Sequence, residues 1–250
     1  MRRFETLDDF TTPDGHRLSL HHRDGDYFID LDGHELMSTR VHASESALAE
    51  LACARLPPAR QRRPRVRSGG LGLGFTLAAA LEALPANAEV VVAEVFPQVV
   101  EWHARHLQSL AVPLDDPRLR VHLGDVGDLL GGGPRASDGS RLKLRDGPAH
   151  RKDAGPAHRY DAILLDTDNG PDAHCRAANA ALYDDAGIER IARSLAPGGV
   201  LAVWSAHADA AFARRLRGHG FSVSTETIRG HRGKGARHVI FLASVETTSA

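Results

Sequence analysis

The sequence predicts an α/β domain built on a parallel sheet, and three observations carry that reading. Short apolar runs alternate with helical stretches from Arg65 almost to the C-terminus. The first run ends in a glycine-rich turn, Ser68-Gly69-Gly70-Leu71-Gly72-Leu73-Gly74, which opens the apolar stretch Leu77-Ala78-Ala79-Ala80-Leu81. Three later runs end in acids: Glu94, Asp125 and Asp166. Apolar strands alternating with helices imply a sheet covered on both faces.

Residues 1–56 read as an N-terminal β-hairpin and helix. Arg17-Leu18-Ser19-Leu20-His21 and Tyr27-Phe28-Ile29-Asp30-Leu31 flank the turn Arg23-Asp24-Gly25-Asp26. A second turn at Asp32-Gly33 leads to Glu35-Leu36-Met37-Ser38. Ser44 is expected to cap a helix over 45–55, with Leu48, Leu51 and Ala52 on one face. The proline- and arginine-rich stretch 57–64 reads as a linker, and 65–250 as the nucleoside-binding domain.

Within that domain a strand precedes the glycine turn and a helix covers about 75–84. Strand 89–94, helix 97–110 and strand 119–123 follow, then the turn Gly124-Asp125. Strand 161–166 comes next, then a helix over 183–195 that ends in Pro197-Gly198-Gly199 before strand 200–204. A last helix, 209–218, leads to strands 221–228 and 238–245. Residues 131–158 break the rhythm. They are polar, aperiodic and rich in Gly, Pro, Asp and Arg, the composition of a disordered insertion, with a lid as the alternative.

Composition narrows the function classes. The chain has 250 residues and 42% hydrophobic content, enough for a substantial core. Net charge is −1, so no overall field draws it to nucleic acid or a membrane. Cys53 and Cys175 are the only cysteines, which argues against a disulfide framework or a cysteine-built zinc site. The fifteen histidines are scattered; His103 and His106 lie a helical turn apart without a third ligand, so they read as surface residues and no metal is expected. Met1 to Thr12 lacks an apolar h-region and no run approaches 18 apolar residues, so the expectation is a soluble cytoplasmic protein.

Ligands of open α/β sheets bind beyond the carboxyl ends of the strands. The glycines Gly70, Gly72 and Gly74 let the backbone approach a nucleoside closely. Glu94, 20 residues after Gly74, suits a carboxylate accepting from both ribose hydroxyls. Asp125 could accept from an adenine amine, or simply form the turn after Gly124. Asp166, ending the run Ile163-Leu164-Leu165, belongs at the sheet rim with Asp168 and Asn169 close behind. Glycine turn, Glu, Asp and Asp on successive strand ends point together to a nucleoside site.

With these residues the chain resembles the spermidine synthase (polyamine aminopropyltransferase) family within the class I S-adenosylmethionine-dependent methyltransferase superfamily, over most of 15–245. Gly69 to Gly74 is similar to the family's donor loop, and Glu94-Val95-Phe96-Pro97 to its Glu-Ile-Asp-Pro. Gly124-Asp125 resembles its Gly-Asp pair, Asp166-Thr167-Asp168-Asn169 its Asp-Ser-Ser-Asp, and Pro197-Gly198-Gly199 the turn before its fifth strand. The resemblance implies a Rossmann-like class I methyltransferase fold, a mostly parallel seven-stranded sheet with helices on both faces, preceded by the small hairpin region. It implies S-adenosylmethionine or its decarboxylated form as group donor, held by Gly70, Gly72, Gly74, Glu94 and Asp125. Asp166 and Asp168 would be catalytic; Glu45, Glu50 and Asn169 would hold the substrate. Subunits of the family commonly pair through the hairpin, so a homodimer is implied.

The sequence departs from the family at three points. Gly72 stands where the donor loop carries an Asp, Leu48-Ala49 replace a Tyr-His or Tyr-Gln pair, and Asn169 replaces an acid. The loop Arg229-Gly230-His231-Arg232-Gly233-Lys234-Gly235-Ala236-Arg237-His238 is expected to border the site and would repel a polycation. Three readings stay open: aminopropyl transfer to a small amine, methyl transfer to a small or anionic acceptor, and a non-catalytic nucleoside-binding protein. A buried Arg67 in the first strand would need a partner or an edge position.

Overall fold

The computed structural model describes residues 4–130, 159–167, 177–231 and 234–245. The 131–158 insertion, Asp168 and Asn169 therefore lie outside the described residues.

Four strands, Phe4–Thr11 (β1), Arg17–Arg23 (β2), Asp26–Leu31 (β3) and His34–Ser38 (β4), form an antiparallel meander in that order. β1 was not anticipated: Thr6, Asp8 and Asp9 interrupt its apolar pattern, and pairing with β2 sustains it. The β2–β3 turn has left-handed backbone at both Asp24 and Gly25, as a tight type I′ hairpin requires. Helix Ala43–Ala54 (α1) follows. Its cap position is His42, not Ser44. Ser44 lies inside the first turn, and its hydroxyl is engaged by Glu45 and His238 instead.

The second sheet has seven strands: Arg65–Gly69 (β5), Glu89–Glu94 (β6), Leu119–Leu123 (β7), Tyr160–Leu165 (β8), Leu195–Ser205 (β9), Phe221–His231 (β10) and Lys234–Val245 (β11). Their order is β10-β11-β9-β8-β5-β6-β7, with β11 antiparallel to both neighbours. Alternate residues of each central strand feed opposite cores. Val90, Val92, Ala162, Leu164, Val200 and Ala202 face one; Val91, Ala93, Ile163, Leu165, Leu201 and Val203 face the other. A period of two with both faces buried is the pattern of a parallel sheet between helical layers.

Helices Phe75–Ala83 (α2) and Pro97–Arg105 (α3) cover the first face with α1, and the meander's Leu18, Leu20 and Ile29 join that core. Val126–Leu129 (α4), Ala177–Tyr183 (α5), Asp185–Ser194 (α6) and Ala210–Gly218 (α7) lie on the other side. The helix expected to reach 110 stops at Arg105, where the N–H groups of His106 and Leu107 both turn to the Trp102 carbonyl. The helix expected over 183–195 starts at Asp185, because the Asp184 side chain caps it by accepting from the Gly187 N–H. Arg67 is central and buried. Its Nη2 lies 3.3 Å from Glu89 Oε1, and its guanidinium sits 4.2 Å from the Tyr160 ring centroid. The partner, not an edge position, is how the fold accommodates it.

Candidate active site

Register brings the carboxyl ends of four strands to one level. Gly70 N–H donates to the Ala93 carbonyl, Gly124 N–H to the Glu94 carbonyl, and Asp166 N–H to the Gly69 carbonyl. β5 has β6 on one side and β8 on the other, so the strand order reverses here and leaves a crevice. A cleft of about 870 Å³ of empty space, mouth included, opens at this point. Gly70, Gly72, Glu94, Asp125 and Asp166 all line it. Gly74 stands behind them and begins α2.

Glycine is dictated at the cleft-lining positions 70 and 72, and Gly74 shares their left-handed backbone. A Cβ at Gly70, whose φ is +89°, would lie 2.3 Å from the Asp166 carbonyl oxygen. At Gly72 (φ +49°) it would lie 2.6 Å from Met37 Sδ, which also accepts from the Leu73 N–H at 3.3 Å. β4 therefore lays Met37 over the loop in the space where a side chain at position 72 would project. The loop is anchored from below by His103, whose Nε2–H donates to the Gly72 carbonyl at 2.8 Å. His103 was expected at the surface and is buried, as is His122. Burial pushes the His103 pKa down, which keeps the ring neutral and able to make this single bond.

Glu94 is buried with its carboxylate fixed by backbone donors: Leu71 N–H at 3.1 Å to Oε2 and Phe96 N–H at 2.9 Å to Oε1. Burial raises its pKa, and these donors oppose the rise. The Gly72 and Val95 N–H groups also face it, so the main chain holds the carboxylate in place for the ribose diol it is proposed to receive. Replacing Glu94 with alanine is expected to weaken donor binding by about 1.5–3 kcal/mol, roughly 10- to 150-fold, read by calorimetry. Unchanged affinity would remove Glu94 from the site. Asp125 caps α4, its Oδ1 accepting from Gly127 N–H at 2.7 Å. The turn role and a ligand role are compatible, because the Gly127 bond uses only Oδ1.

Asp166 lies across the cleft from Glu94. Its Oδ2 is 2.6 Å from Thr76 Oγ1, which is also 3.1 Å from the Glu45 carbonyl. Burial, then the charge of Glu45, raises the Asp166 pKa to about 7. Glu45 is buried and its pKa is raised by burial too, against a hydrogen bond from Ser44. The two carboxyls therefore act as a pair that holds a proton near neutrality. A neutral Asp166 donates to Thr76, leaving the one Thr76 proton for the Glu45 carbonyl.

Glu50 does not join this group. It is exposed and borders a separate depression with Cys53, Gln61 and Leu84. Five residues along a helix rotate a side chain by about 140°, so Glu45 and Glu50 cannot face one ligand. The sequence reading missed Thr76, His103, and His16, which lines the cleft with its Nδ1 2.6 Å from Asp32 Oδ2. Thr76 could have been found from its place one residue inside the helix after the glycine turn. Nothing in the local pattern marks the other two.

No known protein family's sequence profile matches the chain, and no curated protein sequence does. Solved structures do. A spermidine synthase in complex with the transition-state analogue AdoDATO aligns at TM-score 0.66 and 14% identity, covering 97% of this chain and 73% of that one. A probable spermidine synthase from Corynebacterium glutamicum aligns at TM-score 0.59 and 14% identity, covering 96% and 79%. Human methyltransferase-like protein 13 in complex with SAH aligns at TM-score 0.55 and 19% identity, covering 82% and 83%. The chain has the Rossmann-like class I methyltransferase fold, shared with spermidine synthases along nearly its whole length.

Proposed function

We propose that the protein is a spermidine synthase-like transferase that binds S-adenosylmethionine or its decarboxylated form and passes an aminopropyl group from the decarboxylated form to a small amine. The observation that carries this is the placement of Asp166 on the same cleft as Glu94 and Asp125, with the buried Glu45 near enough for its charge to raise the Asp166 pKa. Glu94 takes the ribose hydroxyls and Asp125 the adenine amine, between Val95 and Val126. The acceptor nitrogen attacks the carbon beside the sulfonium. The C–S bond breaks with its electrons to sulfur, which leaves as a neutral thioether, and the ammonium proton passes to the ionised form of Asp166, which is populated as pH rises through its pKa of about 7. The sulfonium needs no activation, so positioning and proton removal are the tasks left to the protein.

Methyl transfer is the second reading, and Met37 favours it. Gly72 itself offers no carboxylate to a donor's terminal ammonium, and Met37 occupies the space where a side chain at that position would project. The cationic hairpin would then favour a small or anionic acceptor; of its side chains, Arg229 and Arg237 are exposed, and those of 230–236 lie outside the described residues. Small molecules, not nucleic acid or membrane, are the proposed partners. Pairing of subunits is proposed at the outer edge of β1, an edge strand of the meander.

The test is a product assay with both donors and a panel of primary amines. Methylthioadenosine released only from the decarboxylated donor is the expected result. S-adenosylhomocysteine from the intact donor would instead establish methyl transfer. Binding without either product would leave the non-catalytic nucleoside-binding reading.

A further inference from the structure

The N-terminal turn of α1 meets the root of the β10–β11 hairpin in a chain of polar groups, buried at Ser44 and Glu45 and half-buried at His238, that the transfer chemistry does not use. Ser44, fully buried, has its Oγ 2.6 Å from Glu45 Oε2 and 2.8 Å from His238 Nδ1. The His238 ring packs 4.8 Å from the Trp204 ring, which fixes its plane. A serine hydroxyl has one proton, and the short contact to a carboxylate places it on the Glu45 side. Nδ1 of His238 must then be the donor to Ser44. The chain runs one way: imidazole N–H to hydroxyl, hydroxyl to carboxylate. Such donors favour the ionised form of the group they end on.

Among the described residues the hydroxyl that faces Asp166 is that of Thr76, whose one proton is shared between Asp166 Oδ2 and the Glu45 carbonyl and has no second donor behind it to commit it to the carboxylate. Of two neighbouring carboxyls that hold one proton, the one whose donor is not committed to it keeps it. We propose that Ser44 and His238 are positioning residues that keep Glu45 ionised and so assign the shared proton site to Asp166, the carboxyl that lines the cleft. The titratable groups facing this chain among the described residues are Glu45, Asp166 and His207, the last repelling a second charge on His238. That the proton comes from an acceptor amine rests on the transfer reaction proposed above; where it sits in the free protein does not.

The test is therefore made on the whole chain without donor or amine. In ¹⁵N-histidine spectra, His238, assigned by its loss in His238→Asn, should carry its proton on Nδ1. Ser44→Ala should move that proton to Nε2, since the bond made by one ring nitrogen sets the tautomer. In ¹³C-carboxyl titrations the Asp166 signal, assigned by its loss in Asp166→Asn, should have its midpoint at least about one pH unit lower in Ser44→Ala, because Glu45 then competes for the proton. His238→Asn, whose amide N–H can replace Nδ1–H, should keep the wild-type midpoint, and His238→Ala should not. An Nε2–H tautomer in the wild type, or an Asp166 midpoint unmoved by Ser44→Ala, would overturn the assignment. Failure of the product assay with these NMR results intact would count against the transfer reaction alone.

Discussion

Asp166→Asn should lower turnover by about 10²–10⁴-fold while leaving donor affinity within about twofold. Asparagine keeps the shape of the side chain and can still bond Thr76 Oγ1, so the loop and α2 should hold their places. What disappears is the group that accepts the acceptor's proton. Donor affinity should survive because Glu94 and Asp125 stand on β6 and after β7, with bonds independent of Asp166. The variant should also change how stability depends on pH. Asp166 is raised from an unfolded value of about 3.9 to about 7. The folded protein thus binds an extra proton between those values, and this group costs stability increasingly as pH rises through that window. The Asn variant should therefore melt higher than the wild type at pH 8, with the gap closing toward pH 4. Loss of donor binding together with turnover would make Asp166 a donor-site or structural residue.

Gly70→Ala should abolish measurable donor binding and cost about 3 kcal/mol or more of stability. Two independent costs combine at this position. The left-handed backbone is strained for any L side chain, and the new Cβ would sit 2.3 Å from the Asp166 carbonyl oxygen. That oxygen belongs to the main chain and cannot rotate away. Relief must come from separating β5 from the end of β8, which moves Asp166 and opens the crevice together. Thermal melts and donor titration read the two effects. A variant with wild-type melting and binding would mean that the glycine turn does not adopt this conformation in solution.

Much of this arrangement was legible because it depends on local rules. Glycine at a left-handed turn, apolar runs such as Ile163-Leu164-Leu165, and acids where those runs stop each have a physical cause that acts within a few residues. The positions of Gly70, Glu94, Asp125 and Asp166 around one cleft followed from those causes and the register of a parallel sheet. Features set by long-range contact were not legible. β1 carries Asp8 and Asp9 in a strand and relies on β2; Trp102 Nε1–H, 94 residues away, donates to Asp8. His103 looked like one of many surface histidines until α3 placed it under the glycine loop. Ser44 has the residue type of a helix cap, yet its partner is His238, 194 residues distant. Glu50 was assigned by resemblance, and helical geometry turned it away from Glu45.

The most direct test of the central claim is calorimetric titration of the wild-type protein with S-adenosylmethionine, its decarboxylated form and methylthioadenosine. Binding of the nucleosides at one site per chain, tightest for the decarboxylated donor and weakened in Glu94→Ala, is the expected result. Binding of none of the three would contradict it.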